Sequence, residues 1–418
     1  VSESSPTLRA VEWAARSAYG RLVATLAART RDVAAAEDAL SDAFAAALQQ
    51  WPEQGVPDHP DAWLLAVARR RLGDAARHHD VVSRAQPALE YAATLLHADA
   101  ADERPALPDQ RAMLLFACAH PAIDVAMHAP LMLQVVLGLE AEHIAAVFLV
   151  KPSAMAQRLV RAKRKLRDAG VRFAFPDAAE LPTRVPPVLD AIYAAYGTAY
   201  GTAWDAVTGG DTARALSDEA IWLARVVVEA LPTHAEAIGV LSLMRYCEAR
   251  REARRRPDGA YVPLDQQDPA QWDHEAIGEA ESLLVRASRL LAPGRYQTEA
   301  AIQSLHIAKR RGHPVDPRAL LSLYDALWLF APTVGVAVNR AAVLAQSHDS
   351  ATALAALDVM PTDMTRDYQP WWALRAHLLS ALQQPDAARV AYDRAIGLSM
   401  APGVRAFLLE RRAALAVD

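Results

Sequence analysis

Between Gly138 and Leu166 the chain shows two helical patterns separated by a turn. Leu139, Ile144, Ala145 and Phe148 give the first pattern an apolar face, "LVKPS" follows as the turn, and Met155, Leu159, Ala162 and Leu166 then recur three and four residues apart. Residues so spaced share one face of a helix, so the pattern predicts two helices docked on a core. Pro152 suits the first turn of the second helix, where its missing N–H costs nothing. The outward positions of that helix are Gln157, Arg158, Arg161, Lys163, Arg164, Lys165 and Arg167. This is the charge plan of a recognition helix, whose N-terminal residues reach base edges in the major groove while its basic residues grip phosphate.

The same period runs through the rest of the chain. "AAAEDALSDAFAAALQQW" and "DAWLLAVARRRLGDAARHH" read as amphipathic helices that need each other's apolar face, so the break "WPEQGVPDHP" at 51–60 lies inside one helical unit. Ala-rich runs favour helix because Ala loses no side-chain entropy there, and no series of alternating β-branched strands stands out. The expected fold class is all-α. Further breaks fall at "ADAADERPALPD" (98–109), "FPDAAELPTRVPP" (175–187) and "RREARRRPDGAYVPLDQQDP" (250–269); the first two of these isolate a helical block at about 108–175.

From about residue 186 the texture becomes repetitive. Trp372, Ala376, Leu379, Ala388, Tyr392 and Ala395 fall at the W, G, Y, A, F and A positions of a tetratricopeptide pattern over 369–402, with Arg375 breaking it at the Leu position. Ala341, Leu344, Ala353 and Leu357 keep the same spacing, and Ala220/Ala224 and Ala280/Leu284/Ala287 preserve its second half, followed by Pro232 and Pro293. Small residues at such positions let paired helices approach closely and stack. An Ala-seamed helical bundle is the other arrangement this composition allows.

Composition narrows the function. The 44 Lys+Arg against 49 Asp+Glu give a net charge of −5, so any nucleic-acid contact rests on local basic patches. Cys118 and Cys247, far apart and without CxxC spacing, fit buried thiols in a reducing compartment. No signal peptide and no bilayer-length apolar run is legible, which leads to an expected cytoplasmic location without membrane contact. There is no Walker loop, GxSxG elbow, HExxH or paired-cysteine box, so the expectation is a non-enzyme with no catalytic residues, no cofactor and no metal. A metal site from Cys118, His120, Glu142 and His143 is the weaker reading beside a core thiol. The basic run at 250–259 reads as a solvated helix end.

At these residues a family resemblance emerges. "GLEAEHIAAVFLVKPSAMAQRLVRAKRKL" resembles the region-four helix-turn-helix of extracytoplasmic-function sigma factors, "GLSYEEIAEILGVPVGTVKSRLHRARKKL", in its Gly-Leu opening, its Ile-Ala pair and its "RLxRAK" run; Ala154 and Ala156 replace the usual Thr and Lys. "DVAAAEDALSDAFAAALQQW" resembles region two of that family, which docks on the β′ clamp of RNA polymerase, through Glu37, Asp38, Leu40, Asp42 and Phe44. An acidic strip beside apolar atoms suits a basic helical partner. "HPDAWLLAVARRRLGDAARHH" resembles the helix that melts the promoter's −10 element, with Arg69, Arg70, Arg71 and Arg77 offering phosphate contacts and Trp63 and Leu64 in the core. The loop before it takes the place of the base-flipping loop, where Trp51 either stacks on a base or, more simply, closes a helix end. End to end, the chain resembles the subgroup with a C-terminal tetratricopeptide-like extension, marked by "LLFACAHPAI", "GRYQTEAAIQSLH" and "VAVNRAAVL"; "YGTAY" at 196–200 stands where that subgroup has "FNEGY".

The resemblance implies sigma region 2 at 1–80, a linker at 81–107, region 4 at 108–175, a linker at 176–187 and the helical extension at 188–418. It implies core RNA polymerase (β′ clamp and β flap) and promoter DNA as partners, with Ser153, Gln157, Arg158, Arg161, Lys163 and Arg164 on the −35 element. The extension is expected to regulate through an intramolecular contact with the sigma domains. The competing reading is a repeat-scaffold adaptor or a one-component DNA-binding regulator, neither of which needs an acidic strip together with a melting helix.

Overall fold

The computed structural model describes residues 19–80, 110–148, 150–171, 175–200, 210–257, 259, 261–347 and 349–416. Among them the chain is helical without a β-strand, and the only extended pairing is an isolated bridge between Arg255 and Tyr261. The fold is all-α. It divides into two compact units, 1–195 and 196–418.

The first unit begins with helical residues 19–30, followed by α1 (Val33–Gln54) and α2 (Pro60–Asp80). Asp32 caps α1 by accepting the Ala35 N–H, and Gly55, at φ 84°, ends it in a conformation that favours glycine. Ala36, Leu40, Ala43, Ala47 and Trp51 recur three and four apart and are buried, as are Leu64 and Ala68 of α2, which packs on α1. Trp51 closes the end of α1 with its ring edge-on to Trp63 at 5.4 Å. The chain resumes as α3 (Gln110–Cys118), α4 (His128–Val135), α5 (Ala141–Val147) and α6 (Pro152–Asp168). Pro152 opens α6, and Met155, Leu159, Ala162 and Leu166 form its buried face, as their spacing predicts.

Close approaches join these elements. A Cβ on Gly20 would lie 2.3 Å from the carbonyl oxygen of Val136, so only glycine lets the 19–30 helix pass the end of α4. The Tyr19 ring packs on Gly138, at φ 70°. The connector expected over 176–187 is helical from Leu181, where α7 (Leu181–Tyr200) begins. Pro186 and Pro187 each remove a backbone donor one turn in, but the Glu180 carbonyl holds the helix start by accepting from Thr183 and Arg184. The Arg184 guanidinium also donates to the Phe116 carbonyl at 2.6 Å, tying α7 to α3. The expected linker at 81–107 lies outside the described residues.

The second unit continues as α8 (Gly210–Ala230), α9 (Ala235–Glu248), α10 (His274–Ser288), α11 (Arg295–Arg310), α12 (Pro317–Phe330), α13 (Val334–Ser347), α14 (Ser350–Asp358), α15 (Gln369–Ala381), α16 (Pro385–Leu398) and α17 (Pro402–Ala413). Packing is mainly between helices close in sequence. Ala376, Leu379, Ala388, Tyr392 and Ala395 share one core cluster, and Ala341, Ala353 and Leu357 share another. Tyr196 of "YGTAY" is buried, its hydroxyl 3.3 Å from both the Met244 carbonyl and the Glu248 carboxylate.

The "GRYQTEAAIQSLH" stretch has a structural explanation. Glu236 accepts the N–H groups of Tyr296 and Gln297, both at 2.9 Å, and so caps α11 from the first turn of α9. Gly294 makes room, because a Cβ there would lie 2.4 Å from the Glu236 Cδ. Burial raises the Glu236 carboxyl above its usual range, opposed by these two hydrogen bonds. Glu236→Ala is therefore expected to destabilise the second unit by about 1–3 kcal/mol, because buried helix-start donors lose charged acceptors. Urea denaturation of both proteins measures this.

A pH dependence follows from His306 of α11. Burial, then the charges of Arg250 and Lys309, lower its pKa to about 4. Because the folded value lies below the unfolded one, near 6.5, stability is fully present above about pH 6.5 and lost as pH falls toward 4. Going from pH 7 to 5 is expected to remove about 2 kcal/mol through this group, a loss that His306→Gln abolishes in denaturation at the two pH values.

Candidate nucleic-acid interface

The exposed side of α6 is built by its own periodicity. With Met155, Leu159, Ala162 and Leu166 turned inward, the helix turns Ser153, Gln157, Arg158, Arg161 and Arg164 outward, and all five are exposed. Lys151, in extended conformation before Pro152, leads into the helix, whose first N–H groups need outside acceptors. Arg161 donates to the Gln157 carbonyl, and Arg164 pairs with Asp168 one turn on, 3.5 Å apart and solvent-exposed. Such exposed pairs hold the side chains weakly, leaving them able to exchange toward a phosphate.

Lys163 departs from this face. It lies at the edge of the apolar stripe, and its Nζ donates to the Glu37 carboxylate of α1 at 2.7 Å, with the two side chains only 13% and 10% exposed. The Tyr19 hydroxyl approaches the other Glu37 oxygen at 3.5 Å. Arg167 reaches Asp32, the cap of α1, at 3.5 Å. Burial raises the Glu37 carboxyl, opposed by the charge and hydrogen bond of Lys163. Burial, followed by the Glu37 charge, raises the Tyr19 phenol.

Three of the expected site residues are not free at the surface in this structure. Glu37 and Lys163, assigned to polymerase and DNA, are here occupied with each other. Leu40, assigned to the polymerase face, is fully buried because it belongs to the inward stripe with Ala36, Ala43 and Ala47. What remains outward on α1 is the i, i+4 pair Asp38 and Asp42, both exposed, with Phe44 half-buried. The acidic strip is therefore narrower than the sequence suggests. Tyr19, Gly20 and Asp32 at this junction were not foreseen.

On α2, Arg69, Arg70 and Arg71 are exposed. Consecutive helix residues diverge by about 100°, so they fan out instead of forming one row. Arg71 leans toward Asp42, 4.0 Å away, with both side chains mostly in solvent. The side chain of Arg77 lies outside the described residues.

Cys118 and Cys247 are buried thiols outside any disulfide, and burial raises the pKa of both. The His120 ring accepts the Ala122 N–H, which gives that side chain a local turn role. Among the described residues no group of three or more His, Cys, Asp or Glu side chains is placed to hold a metal, and no helix is long and apolar enough to cross a membrane. The basic run after α9 is not a solvated end: Arg250 is buried and bonded to Gln303, and Arg251 pairs with Glu248 at 2.5 Å.

Sigma-70 region 2 matches residues 15–81, the segment that forms the 19–30 helix, α1 and α2. A family of unknown function (DUF6596) matches residues 184–288. No solved structure matches the chain significantly. An uncharacterized protein of Rhizobium meliloti (strain 1021) is 32% identical over 399 residues, covering 93% of this chain and 92% of that protein. The chain therefore belongs to one family with the Rhizobium meliloti protein, and at its amino-terminal end it carries the region 2 domain of sigma-70 factors.

Proposed function

We propose that the protein is a sigma factor that binds core RNA polymerase and directs promoter-specific initiation in the cytoplasm. The observation that carries this reading is the coincidence of the region 2 match with an exposed acidic pair, Asp38 and Asp42, on its docking helix. Asp38, Asp42 and Phe44 face the β′ clamp, and Glu37 joins them only if Lys163 lets go. Arg69, Arg70, Arg71 and Arg77 serve the −10 element. Residues 141–168 act as the region 4 helix-turn-helix at the β flap, with Ser153, Gln157, Arg158, Arg161 and Arg164 on the −35 element. Residues 188–418 form a tetratricopeptide-like extension that regulates the sigma domains from within the chain.

Reversing Asp38 and Asp42 to Lys tests the central claim. Both residues are exposed, so the fold tolerates the change, and the expected result is loss of co-purification with core polymerase and of transcription from selected promoter fragments. Undiminished core binding overturns the assignment in favour of a regulator that does not act through polymerase. On DNA, replacing a phosphate-gripping arginine by Ala weakens all sequences alike and lowers the salt slope by about one. Losing a base contact at Gln157 or Arg158 costs about 1–3 kcal/mol at one position only.

A further inference from the structure

The second unit encloses a half-open cavity of about 600 Å³, within the size range of small-molecule sites. It is walled by α11, α13, α15, α16 and α17 and by the segment that links α9 to α10. That segment is braced across the helices. The Tyr261 N–H reaches the Gly403 carbonyl at 3.4 Å, and its ring meets Phe407 edge-on at 6.0 Å. A Cβ on Gly403 would come within 2.4 Å of the Gly259 carbonyl oxygen.

The chemistry of the lining is lopsided. Its apolar floor includes Tyr261, Leu374, Tyr392 and Phe407, while Lys309, Arg310 and Arg411 stand at its rim, exposed. Each of these cations meets a neutral group. Lys309 donates to the Gln346 amide oxygen at 2.8 Å, Arg310 donates to the Gln267 carbonyl at 2.8 Å, and Arg411 lies over the Phe407 ring at 5.3 Å. Asp265 is the sole carboxylate among the lining residues. Elsewhere in this unit arginines commonly pair with acids, as Arg340 does with Asp325 and Arg412 with Asp393. A concave apolar surface edged by cations without carboxylate partners focuses positive potential inward.

We propose that this cavity binds a small organic anion with a hydrocarbon or aromatic body. The body lies against Leu374, Tyr392 and Phe407, and a carboxylate or phosphate head meets Lys309, Arg310 and Arg411, where charge-assisted hydrogen bonds are strongest. The inference rests on the geometry of the second unit alone and stands apart from the sigma-factor reading.

Calorimetric titration of the full-length protein with octanoate, octyl phosphate, 1-octanol and octylammonium tests it. Saturable one-to-one binding of at least one of the two anions is expected, with 1-octanol weaker by about tenfold or more and octylammonium without binding. Octanoate binding assigns a carboxylate head, and octyl phosphate binding alone assigns a phosphate ester; either supports the site. Lys309→Gln and Arg411→Gln should each weaken the anion about tenfold. Leu374→Trp, which fills the floor, should abolish binding, with thermal melting used to confirm that each variant folds. The proposal fails if neither anion binds up to about 10 mM, if octanol or octylammonium binds as tightly as the anions, or if the folded variants bind unchanged.

Discussion

Lys163→Met is expected to destabilise the first unit by about 3–5 kcal/mol, because it strands the Glu37 carboxylate in a buried site without its counter-charge. Glu37 is 8% exposed and already has a raised pKa through burial, with Lys163 as the main opposing influence. Without Lys163 the carboxyl rises further, and the fold favours its neutral form. The defect therefore shrinks as pH falls, since stability from a raised acid is present at low pH and lost as pH climbs through the folded value. Adding Glu37→Gln should return most of the loss, because a neutral amide needs no counter-charge. Denaturant titration at two pH values, with hydrogen exchange on α1 and α6, measures both effects. Equal stability of the single and double variants would show that the stranded Glu37 charge is not the source of the loss, and a single variant as stable as the parent would show that the ion pair contributes nothing.

Gly20→Ala carries the second large effect, about 3 kcal/mol. The added methyl would sit 2.3 Å from the Val136 oxygen, a backbone atom that cannot rotate away as a side-chain end can. Either the 19–30 helix lifts or the end of α4 shifts. Lifting withdraws Tyr19 from both Gly138 and Glu37, so the variant should also loosen the ion pair. Thermal melting gives the size, and exchange of the Leu139 and Gly138 amides gives the place. A melting temperature equal to that of the parent would mean the helix passes α4 with room to spare.

Local periodicity was the part of this molecule most open to reading. Met155, Leu159, Ala162 and Leu166 turned inward, and Pro152 opened its helix, because three- and four-residue spacing and proline's fixed φ act within a few residues. The same holds for Ala376, Ala388 and Ala395, whose small side chains mark where helices touch. Contacts between distant segments were not open in that way. Glu37 and Lys163 are 126 residues apart, and each lies at the border of an apolar stripe, where a charge reads equally well as exposed or buried. Arg250 departs from its pattern for a related reason: a cluster of arginines suggests solvent until Gln303, on another helix, supplies an acceptor. Leu40 shows the limit of reading a motif without its period, since Asp38 and Asp42 of the same motif do not share its face.

The clasp between Tyr261 and the start of α17 bears on how the second unit comes apart. In a row of helices that touch only their neighbours, the terminal helix opens alone and exchange rates grade smoothly toward the end. Here Gly403 and Phe407 are held by a segment much earlier in the chain, so α17 cannot fray without also releasing the link between α9 and α10. The end of the row and its middle then open as one cooperative block. Amide protection in α17 should match that of Val262, whose N–H bonds to Arg254 in the same clasp, instead of falling off toward residue 413.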